Sequence, residues 1–82
     1  MDLEWDPAKA RSNFTKHGIR FSDVEPAFYD QYAITMPDPG VSSEARFVLI
    51  GMDALGRIVV VVYTYRGSLI RIISARAAMK PE

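Results

Sequence analysis

"YTYRGSLIRIISARAA", Tyr63 to Ala78, decides how this chain folds. Aromatic and β-branched residues fill a first arm, Arg66-Gly67, with or without Ser68, makes a tight turn, and a second apolar arm returns beside the first. Upstream lies more of the same: Arg46–Met52 and Arg57–Tyr65 are β-rich and are joined by Asp53-Ala-Leu-Gly56. Connections this short force antiparallel pairing along Arg46–Met52, Arg57–Tyr65 and Leu69–Ala75. Arginines recur at 66, 71 and 76 within this largely apolar stretch. A guanidinium is costly to bury unpaired, so each must face water, a carboxylate or an anionic ligand.

The N-terminal half reads differently. Leu3 to Trp5 alternates with acids and suits a short edge strand. Asp6 is a good N-cap, Pro7 fits the first helical position, and Lys16-His17-Gly18 supplies a basic last turn and a glycine stop. Ala10, Phe14 and His17 share one face of that helix. Ser22-Asp-Val-Glu25 is a capping-box pattern that opens a second short helix through Val24, Ala27 and Phe28, despite Pro26. Met36-Pro-Asp-Pro-Gly40 is turn chemistry, with Ala33–Met36 a strand leading into it. After the last strand, Ser74 is placed to cap one helical turn before Pro81.

Together these elements predict one α+β domain spanning residues 1–82: a two-layer fold with a twisted antiparallel sheet and two N-terminal helices packed on one face. Trp5, Phe14, Phe21 and Phe28 are assigned to the core. Alternation with a two-residue Arg66-Gly67 turn puts Arg46, Val48, Ile50, Val61, Tyr63, Ile70 and Ile72 on one face. Phe47, Leu49, Val60, Val62, Leu69, Arg71 and Ile73 fall on the other, and a three-residue turn would exchange the faces of the last strand. Both faces are largely apolar, whereas two short helices cover one. An apolar face left open implies a partner.

Bulk properties narrow the classes. At 82 residues the chain supports one small core, and with no cysteine it has neither disulfides nor a thiolate zinc site. The acidic start "MDLEWD" lacks the basic and apolar regions of a signal peptide. The longest apolar run, Ile58 to Tyr63, is far below the roughly 20 residues of a membrane-spanning helix. A soluble cytoplasmic protein, with no membrane association, is expected. Net charge is zero, yet residues 1–45 hold four basic groups against eight acidic, while 46–82 hold six against two. Such asymmetry suits either a cationic surface for nucleic acid or two halves that pair with each other.

Few residues offer chemistry. The single histidine has no second histidine at ligand spacing, and the carboxylates form neither a D-x-D nor an H-E-x-x-H arrangement, so no metal and no cofactor is expected. His17 titrates nearest neutrality by type, but Lys-His-Gly is also what a helix end wants for its dipole and cap. Lys9, Asn13 and Lys16 form an i, i+4, i+7 stripe opposite Phe14, which is ordinarily a solvated face. Arg66 sits in a turn and suits solvent. Arg71 is mid-strand and must either pair with an acid such as Glu25 or Asp23 or face phosphate; Arg76 follows the strand end. Tyr63 and Tyr65 fit strand packing, or base stacking if exposed.

"WDPAKARSNFTKHGIRF" (Trp5–Phe21) and "YTYRGSLIRIISARAA" (Tyr63–Ala78), joined by "GMDALGRIVVVV", resemble the BrnT family of bacterial type II toxins, over nearly the whole chain. The resemblance implies a RelE-like sheet with helices on one side. It further implies cleavage of RNA that inhibits translation, and neutralisation by a BrnA-like ribbon-helix-helix antitoxin that alone would touch DNA. It places phosphate handling on Arg71 and Arg76 and proton transfer on His17 or Lys16. Lys9, Asn13, Tyr63, Tyr65 and Arg66 are the candidates for holding RNA. Family members usually continue into a longer basic C-terminal helix, whereas "AAMKPE" follows Arg76 here.

Overall fold

Helix α1 (Pro7–His17) forms where its termini are satisfied. The Asp6 carboxylate accepts the Ala8 N–H at 3.1 Å, Pro7 occupies the first turn, and Lys16 and His17 lie at the negative end of the helix. Gly18 stops it in the left-handed region (φ 73°), donating its N–H to the Phe14 carbonyl at 2.8 Å. The computed structural model describes residues 2–39 and 45–78. Residues 79–82, the end of the helical turn expected between Ser74 and Pro81, lie outside them.

The capping box at Ser22 does not operate. In place of a second α-helix the chain makes two 3₁₀ turns, Phe21–Asp23 and Glu25–Tyr29, without a side-chain cap on either. Pro26 contributes no N–H, and the bonds that form, Val24 N–H to Phe21 and Ala27 N–H to Val24, span three residues. Phe21, Val24 and Ala27 still point inward, so the expected burial survives the change of helix type.

Five strands follow the order β1-β5-β4-β3-β2, with β1 Asp2–Glu4, β2 Ile34–Asp38, β3 Arg46–Met52, β4 Ile58–Arg66 and β5 Leu69–Ala77. The last four are antiparallel, but β1 runs parallel to β5 through Asp2–Leu69, Leu3–Ile70 and Glu4–Arg71, so the sheet is mixed rather than wholly antiparallel. No short connection constrains β1, which meets a strand at the far end of the chain. β2 extends into the expected turn and keeps Pro37, as an edge position allows. Ser74 caps nothing and lies within β5.

Register corrects the expected faces. Met52 pairs with Ile58, so the β3–β4 loop holds five residues rather than four, and Leu49 meets Val61 while Phe47 meets Tyr63. Arg57 belongs to the loop because the buried Asp53 carboxylate accepts the N–H groups of Leu55 and Arg57 at 3.0 and 2.8 Å. One residue transferred from strand to loop exchanges the faces of β3. The β4–β5 turn is Gly67-Ser68, with Arg66 opposite Leu69.

The core gathers Ile19, Phe21, Val24 and Ala27 with Leu49, Val59, Val61, Tyr63, Ile70, Ile72 and Ala75, all strand residues of one face. Trp5 and Phe28 pack against it, whereas Phe14, expected inside, is 42% exposed. On the opposite face Ile34, Met36, Met52 and Ile58 are exposed. Val60 and Thr64 of the same face are buried, so the apolar surface left open lies on β2 and at the ends of β3 and β4 rather than across the whole face as expected.

Candidate functional site

β1 pairs with β5 only as far as Arg71, leaving the rest of that strand without a neighbour on one side. Helix α1 closes the gap through Asn13. Its amide nitrogen donates to the carbonyls of Ala75 (2.8 Å) and Ile19 (3.0 Å), and its oxygen accepts the Ala75 N–H (3.1 Å). A side-chain amide thus makes the donor–acceptor pair that an adjoining strand would supply, and protects a sheet edge. Asn13, 7% exposed, was grouped with the RNA-binding stripe; its amide is engaged with the chain's own backbone.

Lys9 and Lys16, the rest of the stripe, flank this clamp, and His17, expected on the face of Ala10 and Phe14, joins them instead. Lys9, Ser12, Lys16 and His17 line a groove of about 180 Å³ with Asn13, and Ile73 and Ser74 of β5 form its other wall. Lys9, Lys16 and His17 are exposed, and none of them forms an ion pair among the described residues. The structure therefore brings the two lysines and the histidine together around one opening.

A bulge governs the arginines. Val62 pairs with Ser74 but Tyr63 pairs with Ile72, so Ile73 is an extra residue in β5. Arg71 stands opposite Thr64 and Arg76 opposite Val60, positions on the same side of β4, away from the core. Without the extra residue, side chains five apart would project to opposite faces. The Thr64–Val60 separation puts the two about 13 Å apart along the strand, a spacing for two anionic groups rather than one. Arg71 is held at 3.1 Å by Glu4, its partner across β1, and not by Glu25 or Asp23; its side chain stays 27% exposed. Arg76 is exposed, as is Arg66 at the hairpin end, and none of the three arginines lines the α1 groove.

Tyr63 is 4% exposed and packed among Phe28, Phe47 and Tyr65, with ring centroids 5.1 to 5.9 Å away. Burial, reinforced by Tyr65, pushes its phenol above the ordinary tyrosine range, against an opposing hydrogen bond with Thr35. Its ring has no free face for a base. Tyr65, one row further along, is exposed.

One ionic site escaped the sequence reading. Asp53 binds the Arg57 guanidinium at 2.7 Å, and Arg57 also reaches Asp23 at 3.8 Å. Burial pushes the Asp53 carboxyl up. Hydrogen bonds from Arg57 and Leu55, with the guanidinium charge, outweigh it and hold the group below its usual range. The aspartate-to-arginine spacing of four across a Gly-containing loop was the available signal. Asp53 serves the hairpin. Among the described residues no three of His, Asp and Glu gather as a metal-binding group, and no helix is long and apolar enough to cross a membrane.

Comparison with known proteins bears on this geometry. A family model described as the ribonuclease toxin BrnT of type II toxin–antitoxin systems matches residues 5–82. Among solved structures, the crystal structure of the Brucella abortus ribonuclease toxin BrnT superposes with a TM-score of 0.76 at 28% identity, covering 98% of this chain and 99% of that one. Comparison with curated protein sequences returned no match. The sheet with its α1 clamp and cationic groove is thus the scaffold on which this chain belongs to the BrnT family, the ribonuclease toxins of type II toxin–antitoxin systems.

Proposed function

We propose that the protein is a metal-independent endoribonuclease that cuts RNA by attack of the ribose 2′-OH on the adjacent phosphate. His17 or Lys16 takes the 2′-OH proton, and a protonated neighbour in the groove returns one to the leaving 5′-oxygen. One of Arg71 and Arg76 faces the charge that develops on the reacting phosphate, and the other holds a separate phosphate of the strand. Lys9 and Arg66 add electrostatic attraction for the backbone, and Asn13 fixes the helix that carries Lys9, Lys16 and His17. The observation that carries the proposal is the convergence of those three on one groove against β5, the strand that presents both arginines.

The donor set supports metal independence, since among the described residues it offers proton donors and cations rather than clustered carboxylates. Purified protein should cleave RNA in EDTA and leave 2′,3′-cyclic phosphate ends. Loss of cleavage on chelation removes the mechanism. In the cell such an activity inhibits translation in the cytoplasm, and a BrnA-like ribbon-helix-helix antitoxin neutralises it and provides any contact with DNA.

The exposed Ile34, Met36, Met52 and Ile58 favour a second reading, a module acting only through a partner on this sheet face. Expression in cells separates the two. If an Arg71→Ala, Arg76→Ala double variant arrests growth as fully as the parent chain, binding alone suffices. In both readings the apolar strands supply affinity for the antitoxin and charged groups set rate and specificity, so the complex should survive high salt.

A further inference from the structure

On the other flank of α1 lies a second cleft, of about 380 Å³, lined by Trp5, Ala10, Arg11, Phe14, Thr15, Arg20, Phe21 and Ser22. Its size falls within the roughly 300–1,000 Å³ of small-molecule sites. Two aromatic rings offer surface, the partly buried Trp5 and Phe14, the large apolar side chain that the helix leaves in solvent; Phe21, 1% exposed, meets Trp5 edge-on at 6.1 Å and 74° and closes the floor. The Arg20 guanidinium lies over the Phe14 ring, 4.3 Å from its centroid. Arg11 is exposed, and among the described residues neither it nor Arg20 is paired with a carboxylate.

Aromatic surface bordered by unpaired cations is the chemistry that receives an unstacked base with its phosphate. The helix between the clefts strengthens the match. Pro7–His17 contains Lys9, Arg11, Lys16 and His17 and no acidic residue, so it forms a cationic ridge with the proton-transfer groove on one flank and the aromatic cleft on the other. We infer that single-stranded RNA crosses α1 and seats a base in the cleft between Trp5 and Phe14, with Arg11 and Arg20 on the neighbouring phosphate. This assigns the cleft to substrate positioning and rests on the ribonuclease reading for its biological use. Base–aromatic stacking tolerates any sequence, so the subsite adds affinity rather than base choice.

Trp5, the single tryptophan of the chain, lines the cleft and reports on it directly. The probe is a 2′-O-methyl oligoadenylate of eight nucleotides, which binds but lacks the 2′-OH needed for cleavage. Titration should change Trp5 emission saturably. Phe14→Ala and Arg20→Gln should each weaken binding by about 5- to 100-fold, the range for losing one stacked base. Phe14→Leu keeps the apolar bulk without the aromatic face, so weaker binding with unchanged circular dichroism separates stacking from misfolding. Oligonucleotide binding that leaves Trp5 emission unchanged, or that all three variants retain in full, overturns the inference even where RNA is cleaved. Saturable quenching by the oligonucleotide in a protein that fails to cleave RNA upholds the cleft and sinks only the ribonuclease reading. Emission that responds to an antitoxin but not to the oligonucleotide makes the cleft a protein interface and also overturns it.

Discussion

Arg57 and Arg76 are both arginines of the cationic C-terminal half, and the fold treats them in opposite ways. Arg57 is drawn into the β3–β4 loop, where Asp53 holds it at 2.7 Å and Asp23 at 3.8 Å. Arg76 stands exposed on the sheet face away from the core, with no carboxylate bound to it among the described residues. Arg71 falls between them, paired with Glu4 yet partly open. The contrast separates charge spent on shaping a loop from charge left available for a ligand. Pairing between the two halves of the sequence is met by Arg57 with Asp23 and by Arg71 with Glu4.

That contrast can be broken first at Asp53. Asp53→Ala should cost about 3 kcal/mol, since it removes the oxygen that accepts the N–H groups of Leu55 and Arg57 together with the carboxylate that binds the Arg57 guanidinium. Chemical denaturation checks this, and cleavage per folded molecule should be unchanged. The pH dependence has a fixed sign. The carboxyl titrates lower in the folded chain than in the unfolded one, so its contribution is full above the unfolded value of about 3.9 and vanishes as pH falls through the folded value. Asp53→Asn should flatten the stability–pH curve in that acidic window.

The other side of the comparison is tested by Arg71→Ala with Arg76→Ala. RNA cleavage should fall by about 10²-fold or more, as for losing groups that stabilise developing charge, while the denaturation midpoint moves little. A large stability loss with cleavage per folded molecule intact would place these arginines with Arg57. A smaller stability effect is expected at Gly51, where an added Cβ would lie 3.0 Å from the Ala27 carbonyl oxygen. Gly51→Ala should cost about 2 kcal/mol by overpacking strand against 3₁₀ turn. The smallest effect belongs to Glu4→Gln: about 0.5 kcal/mol for a half-exposed pair, with RNA binding strengthened as Arg71 is released. Weaker RNA binding in that variant would mean that Glu4 aims Arg71 rather than restrains it.

Much of this was readable from residue types alone. Asp6-Pro7 and Gly18 bound α1 as their backbone chemistry requires, and the hairpins follow from short connections between β-rich segments. Register was harder, because one residue decides it. That Arg57 joins the loop had one local cue, Asp53 four residues before it, whereas nothing local announces that Ile73 bulges, which depends on the strand met across the sheet. The candidate site divides along the same line. Lys9 and Lys16 shared a helix face by spacing and share a groove in space, whereas His17, expected on the face of Ala10 and Phe14, turns to the lysines instead. Asn13 and Tyr63 looked available because their types suit RNA, and tertiary contacts buried both. The Glu4–Arg71 pair joins residues 67 positions apart and lay beyond any local pattern.

The bulge at Ile73 carries a consequence for comparing homologues. Five positions separate the two arginines, an odd count that an unbroken strand could not turn toward a common side. The motif and the irregularity therefore act as one unit in this chain. A homologue that dropped the supernumerary codon would need its second cation shifted to keep the same outlook. Alignments that count letters without counting pleats would mistake that coordinated change for the loss of an arginine.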